Sequence, residues 1–567
     1  MATGRGWHVG AIGPTILKRA GFLVSSCALC CVGIVLLRTY LSGRRPLLSA
    51  TPPATALLEY FSLKEEEIAE HLSSAIQLRT VSYENNDGTA ASLLPDAGGS
   101  PPVIAPVGGC SCCSNRKEAL ESKDARVSPT PAALDDSRAA FLAFHSLLER
   151  IYPKMHATLE RHAVNTYSLL YIWRPLEGKP ALPGVALCAH MDVVPVPDAQ
   201  EWDFPPFSGV VSGGYVHGRG SIDDKHSLVC ICEAIEHLVS VGWRPSRPVV
   251  LCFGHDEELG GMDGAAHITR LLPTLLPPPH TPLSFVLDEG LFLLEDVFPG
   301  IQERTAVVCV VEKGHVNVEV SVASPAGHSS IPPTSTAIGT LAVALAALEA
   351  NPHPPRLHPA MNFFSSLLPA MPFLPRLLFS NAWLFSPLIH RLLLASPSTA
   401  AMLRTTTAIT LISGGVKSNV LPPTATAIVN RRIHPEDSVG GVLARDTQVV
   451  AAALRGRGGG GPRATLRAME PLEPSPTAST TSPGWLAISS ALSSVFSPPP
   501  LVAPAMMLGN TDTRYFWDCA SNIYRHCPTE LKMVETAMFH GKNERVRTSN
   551  LVRLCAFYAK VLEEATC

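Results

Sequence analysis

Residues 185–192 read VALCAHMD, a short apolar run that ends in a histidine and is followed two residues later by an aspartate. An apolar run of this length is typical of a strand that is buried on both faces of a parallel sheet. Acidic residues follow at Asp223, at the pair Glu257-Glu258 and at Asp288, each at the end of a further apolar run. Successive groups lie roughly 30 residues apart, the length of one strand–helix–strand unit. Since parallel strands bring their carboxyl ends to one sheet edge, where open α/β sheets bind ligands, this spacing predicts one shared site.

The residue types at this predicted site suit a pair of zinc ions. Imidazole and carboxylate groups are ligands of catalytic zinc, and the set is larger than one ion needs. Three carboxylates also offset most of the charge of two Zn²⁺ ions, which helps to bury them. We therefore expect Asp223 to bridge the two ions. The terminal ligands would be His190 and Asp288 on one ion, and Glu258 and the distant His540 on the other.

Two neighbouring acids are left for other roles. Glu257 is adjacent to a ligand but points in a different direction, so it is the candidate general base for a bridging water. Asp192 lies two residues from His190 and can orient the second ring nitrogen of that histidine. A single histidine or aspartate at a strand end is usually structural, but an ordered set at this spacing is rarely accidental. The residues alone therefore predict a di-zinc hydrolase.

The apolar pattern divides the chain into two domains. Alternating buried strands and helices predict an α/β domain with a mostly parallel sheet. From residue 313 onward, two segments alternate with period two, which is typical of half-exposed strands and indicates an inserted α+β domain. The chain then returns to the first domain, because His540 must rejoin the other ligands. The predicted boundaries are 56–312 and 471–567 for the catalytic domain and 313–470 for the inserted domain.

Two segments interrupt these domains. Residues 84–132 are rich in Gly, Pro, Ser and Ala without periodicity, and we expect a disordered insert there. Residues 359–398 are strongly apolar, but prolines at 369, 372 and 375 break the run, so a membrane span is not expected. This second insert is either additional core of the inserted domain or an apolar surface that binds a lipid chain or touches a bilayer.

The first 55 residues are expected to form a tail, a hydrophobic segment and a stem. Within them, Ala20–Leu37 carries no charge and is long enough to span a bilayer. We therefore expect a single-pass membrane protein whose catalytic domain is luminal, in a vacuole or endomembrane compartment, or extracellular. A cleaved signal peptide that yields a secreted protein is the alternative.

The charge balance argues against a nucleic-acid partner. The 567 residues include 45 basic and 48 acidic side chains, with a formal net charge of −3. Such a balance provides no electrostatic attraction for a polyanion. A chain of this length also exceeds the usual size of a single hydrophobic core, in agreement with two domains.

Several motifs resemble the zinc aminoacylase/carboxypeptidase family of metallopeptidases, which includes aminoacylase, acetylornithine deacetylase, succinyl-diaminopimelate desuccinylase and glutamate carboxypeptidase. The motifs are AHMDVVPV at 189–196, WDFPPFSG at 202–209, GRG through DDK at 218–225, and DEE at 256–258. The resemblance covers about residues 57–567, apart from the insert at 84–132. It is strongest to the carboxypeptidase S and N-fatty-acyl-amino-acid synthase/hydrolase branches, through EKG at 312–314, the apolar run from 371 and RTTT at 404–407.

The resemblance implies a phosphorylase/hydrolase-like catalytic domain, a ferredoxin-like lid at 313–470, two zinc ions per subunit and a homodimer formed through the lid. It implies the metal roles given above. His328 would enter the active site of the partner subunit and stabilise the oxyanion. Asn419, Arg432 and the loop that contains Gly509 and Thr511 would bind the substrate carboxylate.

Together these expectations describe a zinc-dependent amidohydrolase. Its substrate would be an N-acyl amino acid with a free carboxylate, including the N-fatty-acyl amino acids that a hydrolase/synthase acts on. One alternative is a carboxypeptidase S-like enzyme that acts on short peptides. A more distant alternative is a non-catalytic, membrane-anchored binding protein.

Overall fold

The computed structural model describes residues 32–44, 52–83, 130–178, 181–455 and 462–566. Up to residue 312, the helices are α1 (residues 32–42), α2 (Thr55–Ser62), α3 (Glu65–Gln77), α4 (Pro131–Ile151), α5 (Pro153–Thr158), α6 (Lys225–Ser240) and α7 (Ala265–Leu275). The strands are β1 (Glu160–Val164), β2 (Ser168–Trp173), β3 (Val185–His190), β4 (Val211–Ser212), β5 (Tyr215–His217), β6 (Val249–Gly254), β7 (Phe285–Glu295) and β8 (Thr305–Glu312).

The middle of the chain contains six helices and six strands among its described residues. The helices are α8 (Ala337–Ala350), α9 (Ala360–Leu367), α10 (Phe373–Ser380), α11 (Ala382–Leu393), α12 (Pro397–Leu403) and α13 (Val439–Leu454). The strands are β9 (Gly314–Ala323), β10 (Gly327–His328), β11 (Ala408–Gly414), β12 (Val420–Leu421), β13 (Thr424–Ile433) and β14 (Ala464–Leu472). The remainder holds α14 (Pro483–Val495), β15 (Leu501–Met507), β16 (Ile523–Lys532), β17 (Arg545–Arg547) and α15 (Thr548–Ala565).

An eight-stranded sheet forms the centre of the molecule, in the order β1-β2-β6-β3-β7-β16-β8-β15. Its middle strands β6, β3, β7 and β16 are parallel. Every residue of β3 and β6 is buried, as the apolar runs predict. One face packs against α6, α14 and α15, and the other packs against α7. The predicted mixed α/β fold with a mostly parallel central sheet is confirmed.

A second sheet, which we call the four-stranded unit, is formed by β11-β13-β9-β14. All its pairings are antiparallel, and β9 and β13 alternate between buried and more exposed residues, as the period-two pattern predicts. Helices α8 and α13 cover one face and form a separate apolar core with it. The chain enters this unit after β8 and leaves it after Leu472, just beyond the predicted boundary at residue 470.

The apolar insert contributes to a different core from the one we expected. Phe363, Phe364 and Leu367 of α9 are buried in the core of the eight-stranded sheet rather than in that of the four-stranded unit. The Phe364 ring stacks on Phe379 with centroids 4.8 Å apart. The opposite surface of α10 and α11 remains exposed, as at Leu374, whose exposed fraction is 72%.

Helix α4 begins within the segment predicted to be disordered. Residues 84–129 of the predicted insert lie outside the described residues, but Pro131 already belongs to α4. The Thr130 side chain accepts a hydrogen bond from the backbone N–H of Ala133, and proline occupies the first helical turn. Both features favour helix initiation, and a compositional argument overlooks them.

The prediction of a single-pass membrane protein is contradicted. Within the described ranges, no helix is both long enough and apolar enough to cross a bilayer. Of the predicted segment Ala20–Leu37, residues 20–31 lie outside the described residues, and 32–37 belong to α1. Helix α1 packs on the apolar insert, where the Arg38 side chain donates to the Ser380 carbonyl and Asn381 donates to the Val35 carbonyl.

A buried ion pair in the four-stranded unit leads to a stability prediction. Arg431 of β13 is buried and donates to the Asp446 carboxylate of α13 at 3.0 Å from Nε and 2.8 Å from Nη2. Asp446→Ala should lower the free energy of unfolding by about 3–5 kcal/mol, because it leaves the guanidinium buried and uncompensated. The matched control is Glu319→Ala, which breaks the more exposed pair with Arg467 and should cost no more than about 1 kcal/mol. Urea denaturation compares the two, and equal losses would contradict a special role for the buried pair.

Candidate metal centre

Four of the five predicted ligands meet at the carboxyl end of the central sheet. His190 ends β3, Asp223 precedes α6, Glu258 lies in a 3-10 turn after β6, and His540 follows the 3-10 turn Met533–Met538. Asp223 lies between the two histidines: its Oδ1 is 2.8 Å from His190 Nε2 and its Oδ2 is 2.7 Å from His540 Nε2. Glu258 Oε2 is 3.2 Å from the same His540 nitrogen. This geometry suits a carboxylate that bridges two cation positions.

The fifth predicted ligand, Asp288, does not join this group, and its neighbour Glu289 does. Glu289 Oε1 lies 3.8 Å from His190 Nε2, and ligand atoms of His190, Glu257 and Glu289 lie within 4.8 Å of one another. The two acids are consecutive residues of β7, so their side chains point to opposite faces of the sheet. Asp288 is buried on the side of Thr511 and Arg525. Spacing along the chain could not distinguish these two residues.

Asp192 contacts His190 as predicted from its position two residues away. Its Oδ1 is 3.3 Å from His190 Nδ1, and its backbone carbonyl is 3.0 Å from the same nitrogen. The carboxylate also accepts hydrogen bonds from the backbone N–H groups of Glu257 and Glu258 and from the Ser82 hydroxyl. Burial raises the pKa of Asp192, but the hydrogen bond and positive charge of His190 and the hydrogen bonds from Ser82 and Glu258 together outweigh burial and leave this pKa below its ordinary value. Asp192 therefore fixes the histidine and the Glu257-Glu258 turn together.

Two residues that we did not predict, Arg219 and Glu544, hold the loops that carry Asp223 and His540. Arg219 donates to Glu544 at 2.6 Å and to the His540 and Gly541 carbonyls at 3.2 and 3.1 Å. Glu544 in turn accepts from the Asp223 backbone N–H at 3.2 Å. This pair ties the loop of His540 to the loop of Asp223. The signal in the sequence is the GRG motif at 218–220, whose glycines have φ of +146° and +88° and so permit the turn that buries Arg219.

The electrostatics of the centre fit a bound cation. Burial raises the pKa of Glu258 to about 7 and that of Glu289 to about 8. Glu258 Oε1 is buried without a hydrogen-bond partner in the described structure. Several buried carboxylates that share one site repel each other and are costly to ionise unless positive charge compensates them. Imidazole nitrogens and carboxylate oxygens are the donor types that a divalent transition metal takes.

A cavity of about 410 Å³ lies over the centre and joins it to a positively charged wall. Its lining includes Glu257, Glu258 and His540 of the centre together with Arg432 and Arg514. Burial lowers the pKa of Arg432, and the positive charge of Arg514 lowers it further. Two guanidinium groups that face one cavity are suited to a carboxylate.

The predicted loop at 509–514 holds this wall in position. Gly509 and Thr511 both line the cavity. The Thr511 backbone N–H and hydroxyl each donate to Glu312 at 3.0 Å. Asn510 accepts from Arg432 Nη1 at 2.9 Å and donates to the Lys313 carbonyl at 2.6 Å. The loop therefore links Arg432 of the four-stranded unit to the end of β8.

Two predicted residues, His328 and Asn419, lie away from the cavity. His328 is exposed on the short strand β10, and its Nδ1 is 2.7 Å from the Ser330 hydroxyl. Asn419 lies beside it, since the Ser329 backbone N–H donates to the Asn419 carbonyl at 3.1 Å. Neither residue lines the cavity over the metal centre. The structure thus groups these two residues with each other, but not with His190 or Glu258 of the same chain.

Comparison with known proteins identifies the relatives of this chain. Residues 186–564 match the model of peptidase family M20/M25/M40. The chain is 38% identical to probable carboxypeptidase S-like 2 of Dictyostelium discoideum over 76% of this chain and 80% of that protein. It is 36% identical to N-fatty-acyl-amino acid synthase/hydrolase PM20D1 of Xenopus tropicalis over 79% of this chain and 86% of that protein.

Solved structures share the fold at low sequence identity. Human carnosine dipeptidase 1 matches 91% of this chain and 100% of its own, with a TM-score of 0.58 at 13% identity. An M20 family metallo-carboxypeptidase of Sulfolobus solfataricus matches 74% of this chain and 94% of its own, with a TM-score of 0.52 at 16% identity. The match to the family model and the identity to these relatives over most of their length together show that this chain is a metallohydrolase and belongs to peptidase family M20/M25/M40.

Proposed function

We propose that this protein is a di-zinc amidohydrolase that cleaves the amide bond of an N-acyl amino acid with a free carboxylate. The observation that carries the proposal is the cavity between the metal centre and the Arg432–Arg514 wall. An amino-acid carboxylate on that wall would leave the amide carbonyl beside Glu257 and Glu258. The relatives named as N-fatty-acyl-amino acid synthase/hydrolases support this substrate class.

We infer that two zinc ions occupy the centre, with Asp223 between them. The geometry supports His190 and Glu289 on one side and Glu258 and His540 on the other. When bound, the ions would supply a Lewis acid to polarise the carbonyl and acidify water. Asp192 would keep the His190 ring in its orientation, as carboxylates behind metal-binding histidines do.

Glu257 is the proposed general base. Burial raises the pKa of its carboxyl well above the ordinary value, and the negative charge of Glu289 raises it further. A carboxylate that is destabilised in this way accepts a proton readily. Glu257 would take the proton of the attacking water and deliver it to the leaving amine.

We also infer a homodimer formed through the four-stranded unit. Its edge strand β11 is almost fully exposed, and Leu411 and Ile412 have exposed fractions of 57% and 65%. An exposed apolar edge strand of this kind favours pairing with a second chain. In such a dimer, His328 and Asn419 would complete the site of the partner subunit, where His328 would stabilise the oxyanion.

The strand order of the four-stranded unit, with α8 and α13 on one face, supports a ferredoxin-like lid at about 313–470. This lid would be inserted into a phosphorylase/hydrolase-like catalytic domain made of 56–312 and 471–567. Catalytic and lid residues would then meet at the cavity, where Arg432 and the loop with Gly509 and Thr511 hold the substrate carboxylate.

A substrate panel tests the proposed function. Purified, zinc-loaded enzyme should hydrolyse N-acetyl- and N-oleoyl-phenylalanine and release free phenylalanine. The second candidate is a carboxypeptidase that acts on short peptides, which the carboxypeptidase S-like relatives favour. Hydrolysis of dipeptides without hydrolysis of any N-acyl amino acid would establish that candidate instead. Binding of both substrate types without turnover of either would favour the more distant alternative, a non-catalytic binding protein.

The choice between Glu289 and Asp288 as ligand leads to a separate prediction. Glu289→Gln should weaken metal binding at least about tenfold. Mutating even a group that only supports a metal ligand typically lowers metal affinity by about 10–100-fold. Asp288→Asn is the matched control and should keep its metal, because Asp288 faces Thr511 and Arg525. Metal content after dialysis against a graded zinc buffer measures both variants. Metal loss in Asp288→Asn but not in Glu289→Gln would show that Asp288 is the ligand, as the sequence spacing predicts.

A further inference from the structure

A second and larger cavity, of about 1190 Å³, also reaches Glu258. We call it the loop cavity, because its wall is formed by the loop after β3 and by the loop at 202–208. Glu258 lines both this cavity and the smaller one that carries the Arg432–Arg514 wall. A molecule whose reacting bond lies at Glu258 therefore has space to extend in two directions. The volume exceeds the usual range for small-molecule clefts, about 300–1,000 Å³, so a long group would fit.

The two cavities differ in chemistry. The smaller one presents two guanidinium groups, whereas the loop cavity is lined mainly by apolar side chains, including Val194, Val196 and Phe207. A positive charge does border it at Arg79, but the Arg79 guanidinium lies over the Phe207 ring, 5.3 Å from its centroid. This contact places the Arg79 charge against an aromatic ring, and the other polar lining residues, which include Ser82, Asp136 and Gln200, are outnumbered by apolar ones.

Prolines remove backbone hydrogen-bond donors from the two loops of the loop cavity. Prolines 195, 197, 205 and 206 all line it. Proline has no backbone N–H, so these positions cannot donate to a ligand. A bound peptide needs main-chain partners along its length, as in strand addition to a sheet edge. A hydrocarbon chain needs none, so the wall fits an aliphatic chain better than a peptide.

The geometry points to the loop cavity as the binding site for the aliphatic tail of the acyl group. This inference rests on the proposed function, since it concerns the acyl side of the same amide substrate. The amino-acid carboxylate would lie against Arg432, the amide at Glu257 and Glu258, and the tail along Val194 and Val196. The apolar insert at 359–398, which the sequence suggested for this role, contributes no residue to either cavity among its described residues.

An acyl-length series with three variants tests this assignment. The substrates are N-acyl-phenylalanines from acetyl to oleoyl, kept below their micelle concentrations, and the readout is kcat/KM. In the wild type, efficiency should rise by up to about fourfold per buried methylene until the cavity is full. Val196→Asp, which puts a charge in the wall, should lower oleoyl hydrolysis at least about tenfold and leave acetyl hydrolysis unchanged. Val196→Trp, which fills the cavity without a charge, should shorten the longest chain accepted.

The matched control is Leu374→Asp, which places the same charge on the exposed face of the insert. It should keep the wild-type chain-length profile. A wild-type profile that does not rise with chain length overturns the inference, and so does an unchanged profile in both Val196 variants. If Leu374→Asp flattens the chain-length profile, the inference is overturned and the acyl tail is assigned to the insert instead. All of these outcomes retain acetyl hydrolysis, so they differ from failure of the proposed function, in which no N-acyl amino acid of any length is cleaved.

Discussion

Glu257→Gln is expected to lower turnover by about 10²- to 10⁴-fold while the protein keeps its metal, because a general base contributes an effect of this size. The glutamine keeps the shape of the side chain and the backbone hydrogen bond to Asp192, 3.2 Å long in the structure. It removes only the ability to accept a proton. The variant therefore separates the chemistry of Glu257 from its structural contacts.

Metal analysis and kinetics on the same sample decide the outcome. Ligand atoms of Glu257, His190 and Glu289 lie within 4.8 Å of one another, so a direct ligand role for Glu257 has to be tested. Loss of metal in Glu257→Gln would assign Glu257 to the ligand set, and full metal with normal turnover would remove it from the mechanism. Glu201→Gln, which alters an exposed partner of Lys542, is the matched control and should behave like the wild type.

The convergence of the centre was predictable because it follows from strand ends. Val185–His190 and Val249–Gly254 are uninterrupted apolar runs, and burial on both faces is the arrangement that suits such runs. Once these strands are parallel, the residues that follow them must meet at one edge. The contacts of Asp223 with His190 and His540 are a consequence of that topology.

Other features depend on contacts that have no local signal. Whether Asp288 or Glu289 faces His190 depends on the pairing of Val185 with Phe285, and no periodicity along the chain reveals that register. The pair of Arg219 and Glu544 joins residues 325 positions apart, so only the folded chain shows it. Polar residues that support a site from a distance are therefore the part that sequence reasoning misses.

Apolar composition was the least informative signal. The insert at 359–398 was consistent with core or with an exposed lipid-binding surface, and the structure divides it between burial at Phe364 and exposure at Leu374. Burial depends on which neighbours a helix meets, and an irregular pattern interrupted by prolines does not specify a single face. The same limitation applies to Ala20–Leu37, where length and lack of charge suggested a membrane span.

His328→Ala is expected to lower turnover by about 10²- to 10³-fold, the usual cost of removing one oxyanion donor. This effect would be difficult to explain within a single chain, because His328 is exposed on β10 and does not line the cavity over the metal centre. A solvent-facing histidine with a neighbouring hydroxyl partner would ordinarily be replaceable. A large loss with normal metal content would therefore indicate that His328 acts in another subunit.

Mixed dimers turn this inference into a direct test. Homodimers of His328→Ala and homodimers of Glu257→Gln should each have little activity. In a heterodimer of the two, both substitutions fall in one of the two sites. The other site would then combine an intact Glu257 with an intact His328 from the opposite chain, as the two-fold symmetry of such a dimer requires. Heterodimers isolated by two different tags should accordingly recover activity from one of their two sites.

The control is a heterodimer in which one protomer carries both substitutions and the other is wild type. Each site then lacks one of the two residues, and no activity is expected. Heterodimers of the single variants that stay inactive, although both protomers bind metal, would show that His328 does not complete a neighbouring site.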